Sequence, residues 1–122
     1  MRPIDILVRF EWAATFVAAV FAYWWLGASW ALFAVLILAP DLSMLGYLVG
    51  PRVGAVVYNA VHTLIGPLAL LGAALLFPLS WAMPVAVIWL AHIAMDRTLG
   101  YGLKLSTGFA DTHMGTIGRA RA

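Results

Sequence analysis

There is no cysteine among the 122 residues. That absence excludes disulfides, thiolate metal ligands, iron–sulfur clusters and cysteine nucleophiles, and leaves the redox compartment open. Charge is scarce too. Seven Lys and Arg and five Asp and Glu make up 10% of the chain, against 65% hydrophobic residues and a mean hydropathy of +0.99. A water-soluble domain usually carries about 25% charged residues. Twelve charged side chains cannot coat a globule of this size, so lipid is the solvent for most of the surface. The net charge of +2 is too small, and its basic residues too scattered, to point to nucleic acid. Internal repeats and low-complexity tracts are also missing, and the length allows one domain over 1–122.

What is present is apolar sequence in long runs. Residues 13–26 and 30–39 are apolar without the polar alternation of a membrane β-barrel, so the spans are helices, which satisfy their own backbone hydrogen bonds. Residues 1–26 resemble a signal peptide at first sight. Asp5 and Glu11 ahead of the run, and bulky Tyr23-Trp24-Trp25 where small residues belong, make it a first span instead. About 20 residues cross the hydrocarbon core. Four segments fit: residues 4–26, 30–49 (interrupted by Pro40-Asp41), 53–76 (containing Pro67) and 81–99, with Pro84 in the first turn. The short connections at 27–29, 50–52 and 77–80 predict an all-α, up-down-up-down bundle of four transmembrane helices. Gly46, Gly50 and Gly54 recur every four residues, but Pro51 and Arg52 interrupt them, so they read as a tight turn rather than a dimerisation face.

The basic residues set the orientation. Arg2, Arg9, Arg52, Arg97, Lys104, Arg119 and Arg121 all fall on one side of this arrangement, and the other two loops have none. By the positive-inside rule that side is cytoplasmic, which predicts a multi-pass protein of the bacterial inner membrane with both termini in the cytoplasm and a cytoplasmic C-terminal loop from about residue 100.

Ionisable residues at membrane depth are costly, so each is a candidate functional residue. Five occur: Glu11, Asp41, His62, His92 and Asp96. At about 1.5 Å per helical residue, all five fall in the cytoplasmic half of the bilayer, roughly 5 to 15 Å inside. His92 and Asp96 stack four apart on one face behind Trp89; Tyr58, Asn59 and His62 form a polar stripe; Glu11 and Thr15 form another. Imidazole and carboxylate without sulfur suit a divalent ion such as zinc, iron or manganese. The reading is an intramembrane metal site with Asp41, His62, His92 and Asp96 as ligands and Glu11 and Asp41 as catalytic carboxylates. It would serve a metal-dependent hydrolase acting on a lipid or lipid-linked substrate near the cytoplasmic leaflet. The same residues could instead form a hydrogen-bonded, partly protonated network that holds the helices together. They could also ligate a haem through His62 and His92 for electron transfer. A third alternative is a non-catalytic subunit or a small proton or ion pathway, for which a pore would need a homo-oligomer. Pro40 frees the carbonyl of Leu36 in an α-helical register and could aim Asp41. In the tail, Asp111 and His113 are two apart and could complete or cover the site together with Tyr58 and Asn59, or the tail could merely anchor the fourth span.

The motifs Pro40-Asp41, Tyr58-Asn59-x-x-His62, His92-x-x-x-Asp96-Arg97, Gly100-Tyr101-Gly102-Leu103-Lys104 and Gly108-Phe109-x-Asp111-Thr112-His113 resemble an uncharacterised family of small four-span bacterial membrane proteins. The resemblance covers nearly the whole chain and implies a fold and a membrane location, with no activity. More loosely, the intramembrane Pro-Asp and histidine pattern is similar to predicted membrane-bound metal-dependent hydrolases, which are longer.

Overall fold

In the computed structural model, which describes residues 2–117, every apolar run is helical. α1 (Pro3–Leu26) and α2 (Trp30–Leu36) are followed by a 3-10 helix (Ala39–Leu48), then α3 (Pro51–His62), α4 (Ile65–Leu76) and α5 (Ala82–Leu99). A two-stranded antiparallel hairpin, β1 (Asp111–Thr112) and β2 (Gly115–Thr116), lies in the tail, with Asp111 opposite Thr116. Arg119 and Arg121 lie outside the described residues. The all-α class agrees with the sequence. Among the described residues, three helical segments are long and apolar enough to cross a membrane: Trp30–Leu48, Pro51–Leu76 and Ala82–Leu99. The expected first span is a helix of 24 residues but is not among the three. Arg9, Glu11 and its tryptophans lower its hydropathy.

Two expected spans are broken, and proline explains both breaks. Pro40 carries no N–H, so the α-helical ladder ends at α2 and the chain continues with i→i+3 bonds, as in Asp41 N to Leu38 O at 3.0 Å. In the third span the helix stops before Pro67 is reached. A proline ring clashes with the carbonyl four residues earlier, here Thr63, and Thr63 is extended with ψ 159°. The break therefore lies one turn ahead of Pro67, which sits in the first turn of α4.

α5 is the organising helix. α1 packs along it, α4 packs against it, and α2 touches it; the 3-10 helix pairs with α3. Its inner faces are small or compact, with Ala82, Ala86, Ala91, Ile93 and Ala94 buried, which lets neighbouring backbones come close. Gly66 serves the same end from α4: a Cβ there would run into the Trp89 ring. A Cβ on Gly46 would stand 3.3 Å from the Cα of Gly54, so these glycines close the turn between the 3-10 helix and α3. α5 ends at Gly100, whose φ of 90° favours glycine, with Tyr101 N donating to Asp96 O at 2.7 Å. The exterior is apolar: Phe10, Val35, Leu48, Ile65 and Leu75 are mostly exposed. An exposed apolar surface of that extent suits lipid, not water.

Candidate metal centre

The two helix breaks release backbone carbonyls, and α5 supplies the side chains that bind them. In the 3-10 register the carbonyl of Ile37 would pair with the nitrogen of Pro40, which has no hydrogen. His92 Nδ1 takes that carbonyl, at 2.5 Å. An α-helical register would free the carbonyl of Leu36; the change of register makes Ile37 the acceptor used. At the other break, the last carbonyls of α3 need external donors. Trp89 Nε1 donates to Val61 O at 2.7 Å, and Arg97 donates to His62 O at 2.8 Å. His62 itself is oriented from within α3, its Nδ1 2.8 Å from Tyr58 O, and its ring stacks on Tyr58 with centroids 3.7 Å apart.

These contacts fix the tautomers. A carbonyl can only accept, so Nδ1 of each histidine donates, and each neutral ring presents its Nε2 lone pair inward. The two Nε2 atoms are 3.1 Å apart. Asp41 Oδ1 lies 3.3 Å from His62 Nε2 and 3.1 Å from His92 Nε2. Asp96 Oδ2 lies 3.5 Å and 3.2 Å from the same two atoms. The donor atoms of Asp41, His62, His92 and Asp96 all fall within 4.8 Å of one another. Ligands held about 2.0–2.1 Å from a tetrahedral metal stand about 3.3 Å apart, and the five separations above scatter closely around that value. Both histidines are fully buried, and Asp96 nearly so; Asp41, with a side chain 32% exposed, is the open corner. The residues fit the group they would hold.

Not every residue singled out in the sequence joins this quartet. Glu11 is exposed on α1, outside the group. Tyr58 adjoins it, its hydroxyl 3.4 Å from Asp96 Oδ2. Asn59 grips the tail instead: its Nδ2 donates to Lys104 O at 2.7 Å and its Oδ1 accepts from Lys104 N at 2.6 Å. The tail does fold back, but Asp111 and His113 brace the tail itself. Asp111 accepts from Thr107 Oγ1 at 2.7 Å, and His113 Nδ1 accepts from the Leu103 N–H at 2.7 Å. Burial, with Arg97 nearby, holds His113 below its usual pKa, so the accepting lone pair stays free.

Two features are not legible in the sequence. The use of Trp89 and Arg97 as carbonyl donors was not foreseen, although their spacing of eight puts them near one face of α5 with His92 and Asp96. Lys104, placed by the sequence only on the cytoplasmic side, is 4% exposed, with Nζ 3.9 Å from the Phe109 ring centroid and 5.0 Å from that of Tyr58. Burial pulls its pKa down, and Asp96 and Asp41 pull it part of the way back. A lysine between aromatic residues of a glycine-rich tail was the one available signal.

No curated protein and no solved structure matches the chain. A family model described as a domain of unknown function, DUF4260, matches residues 5–117. With nearly its whole length covered, the chain belongs to the DUF4260 family.

Proposed function

We propose that the protein is an intramembrane metal-binding protein, with Asp41, His62, His92 and Asp96 holding one divalent ion. One observation carries the reading. The two Nε2 atoms stand 3.1 Å apart and each lies 3.1–3.5 Å from both carboxylate oxygens, with both Nδ1 donors turned away. Two imidazole lone pairs and two carboxylates repel each other in a low dielectric unless a cation or shared protons lie among them. The outward hydrogen bonds of both histidines are the arrangement that orients metal ligands and raises their basicity. Zinc, iron and manganese all suit two imidazoles with two carboxylates.

Four spans complete the picture, α1 acting as the fourth through its packing on α5 and its exposed Val17, Phe21 and Trp25. Both termini would lie in the cytoplasm, an orientation that the distribution of basic residues supports, and the membrane would be a bacterial inner membrane. When bound, a divalent ion supplies Lewis acidity and lowers the pKa of an attached water. Asp41, the exposed ligand, can yield its place, which would leave the three-ligand set typical of catalytic sites. A lipid or lipid-linked ester or phosphoryl substrate at the inner leaflet matches the depth. A haem is disfavoured: axial ligands stand on opposite sides of the macrocycle, whereas these Nε2 atoms are 3.1 Å apart with two carboxylates beside them.

Elemental analysis of protein purified from membranes tests the proposal. The expected result is about one equivalent of a divalent transition metal per chain, lost in His62→Ala and His92→Ala. Wild-type protein that binds none after incubation with zinc, iron and manganese salts, while both variants keep wild-type stability, contradicts it.

A further inference from the structure

The tail is fastened to members of the quartet by backbone bonds. Tyr101, the first residue beyond the Gly100 cap, reaches two of them. Its N–H donates to Asp96 O at 2.7 Å, and its carbonyl accepts from Arg97 at 2.9 Å. The other arm of the same guanidinium donates to His62 O at 2.8 Å. Arg97 is 5% exposed, so each acceptor counts: a buried cation that loses one is left partly unsatisfied. His62 is the last residue of α3, with an extended Thr63 after it, so no further turn of helix fixes its position. Its carbonyl depends on an external donor, and Arg97 is that donor.

A second fastening joins the rest of the tail to the same turn of α3. Asn59, three residues before His62, clamps the Lys104 peptide from both sides, at 2.7 Å to its carbonyl and 2.6 Å to its N–H. Among the described residues, the Asn59 side chain hydrogen-bonds to Lys104 alone. Beyond the clamp the tail coheres. Leu105 N–H donates to Asp111 O at 2.7 Å, His113 N–H donates to Leu103 O at 2.9 Å, and Lys104 pairs with Thr112. Residues 103–113 therefore dock or lift as one unit. Tyr58, next to the clamp, lies between this unit and the quartet. Its ring centroid is 5.0 Å from Lys104 Nζ, the ring stacks on His62, and its hydroxyl is 3.4 Å from Asp96 Oδ2.

We propose that docking of the tail and binding of the metal are coupled, with residues 101–113 as a strap that holds His62 and Asp96 in the geometry the ion needs. Resting on the metal reading above, the coupling names what regulates that site. The strap need not touch the ion. While it is docked, the backbones of both ligands are held before the ion arrives, so binding has less left to order. Once bound, the ion fixes His62 Nε2 and the Asp96 carboxylate, and so steadies the turn that Asn59 and Arg97 grip. Each event strengthens the other by the same factor. Whatever lifts the strap lowers the affinity for metal.

Hydrogen exchange of the full chain in detergent, zinc-free and zinc-loaded with its metal content measured first, tests the coupling. The amides of Leu103, Lys104, Leu105 and His113 should exchange roughly 5- to 50-fold more slowly with zinc, a larger change than in α1. In His92→Ala the same amides should ignore zinc; a response that persists there comes from zinc on the tail itself and overturns the coupling. Asn59→Ala removes the clamp and leaves the quartet intact. Its zinc affinity, by competition with a chelator, should fall by the factor seen in exchange, within about threefold, because linkage is reciprocal. Unchanged affinity in Asn59→Ala that keeps its helix content, or tail exchange that zinc leaves unchanged in loaded wild-type protein, overturns the coupling alone. If Asn59→Ala cannot be recovered folded, the wild-type exchange decides. Protein that retains no zinc overturns the metal reading, and the coupling with it.

Discussion

At the scale of single residues, the site depends on which nitrogen each histidine commits to a carbonyl. His62 and His92 turn Nδ1 outward and leave Nε2 for the centre. His113 does the reverse on the tail, keeping Nδ1 as an acceptor for the Leu103 N–H. That bond needs the neutral ring, and burial holds the folded-state pKa below the ordinary value of 6.5. The unfolded or undocked tail therefore takes up a proton more readily than the docked tail does. The stabilisation is complete above about pH 6.5 and is lost progressively as pH falls below it. In an NMR titration, His113 should show a midpoint below 6.5, and the Leu103 amide resonance should move with it. A tail whose Leu103 amide is unchanged between pH 7.5 and pH 5 would show that the bond does not matter.

At the scale of elements, the prolines are the instructive residues. The sequence placed the helices within a few residues of where they form, because apolar runs of spanning length leave little choice. It also brought out the four residues of the quartet, since ionisable side chains stand out in such runs. It could not show the register. Whether the chain beyond Pro40 resumes as α or 3-10 depends on packing against α3, and that choice decides whether Leu36 or Ile37 supplies the free carbonyl. Depth counting failed for Glu11 for a related reason: equal depth does not bring residues together when one of them lies on the outer face of its helix. Tail packing was invisible, because Lys104 burial depends on Asn59 and Phe109 meeting it from distant parts of the chain. Pro40→Ala tests the role of the break. It restores an N–H that can compete with His92 for Ile37 O, so metal affinity should fall roughly 10- to 100-fold, the usual cost of losing such an orienting partner. Helix content by circular dichroism should hold or rise. Unchanged affinity, measured by competition with a chelator, would mean that the released carbonyl does not orient His92.

At the scale of the whole molecule, α5 ties the fold to the site. One helix buries the small residues that α1 and α4 pack against, satisfies the carbonyls released by both breaks, and contributes two members of the quartet. The proposed topology can be checked cleanly, because a chain without cysteine accepts single cysteines against an empty background. Ala28→Cys and Leu79→Cys should react with a membrane-impermeant maleimide added to intact cells. Arg52→Cys should react only after the membrane is opened. Labelling of Arg52→Cys in intact cells, or protection of the other two, would invert or break the four-span arrangement.

Binding of one divalent ion by Asp41, His62, His92 and Asp96, as proposed, can be read from X-ray absorption at the edge of the bound metal. The expected spectrum has a first shell of nitrogen and oxygen at about 2.0–2.2 Å with the outer-shell scattering of two imidazoles, lost in His62→Ala and His92→Ala. A fully hydrated ion, or a spectrum without imidazole scattering that both variants leave unchanged, would contradict it.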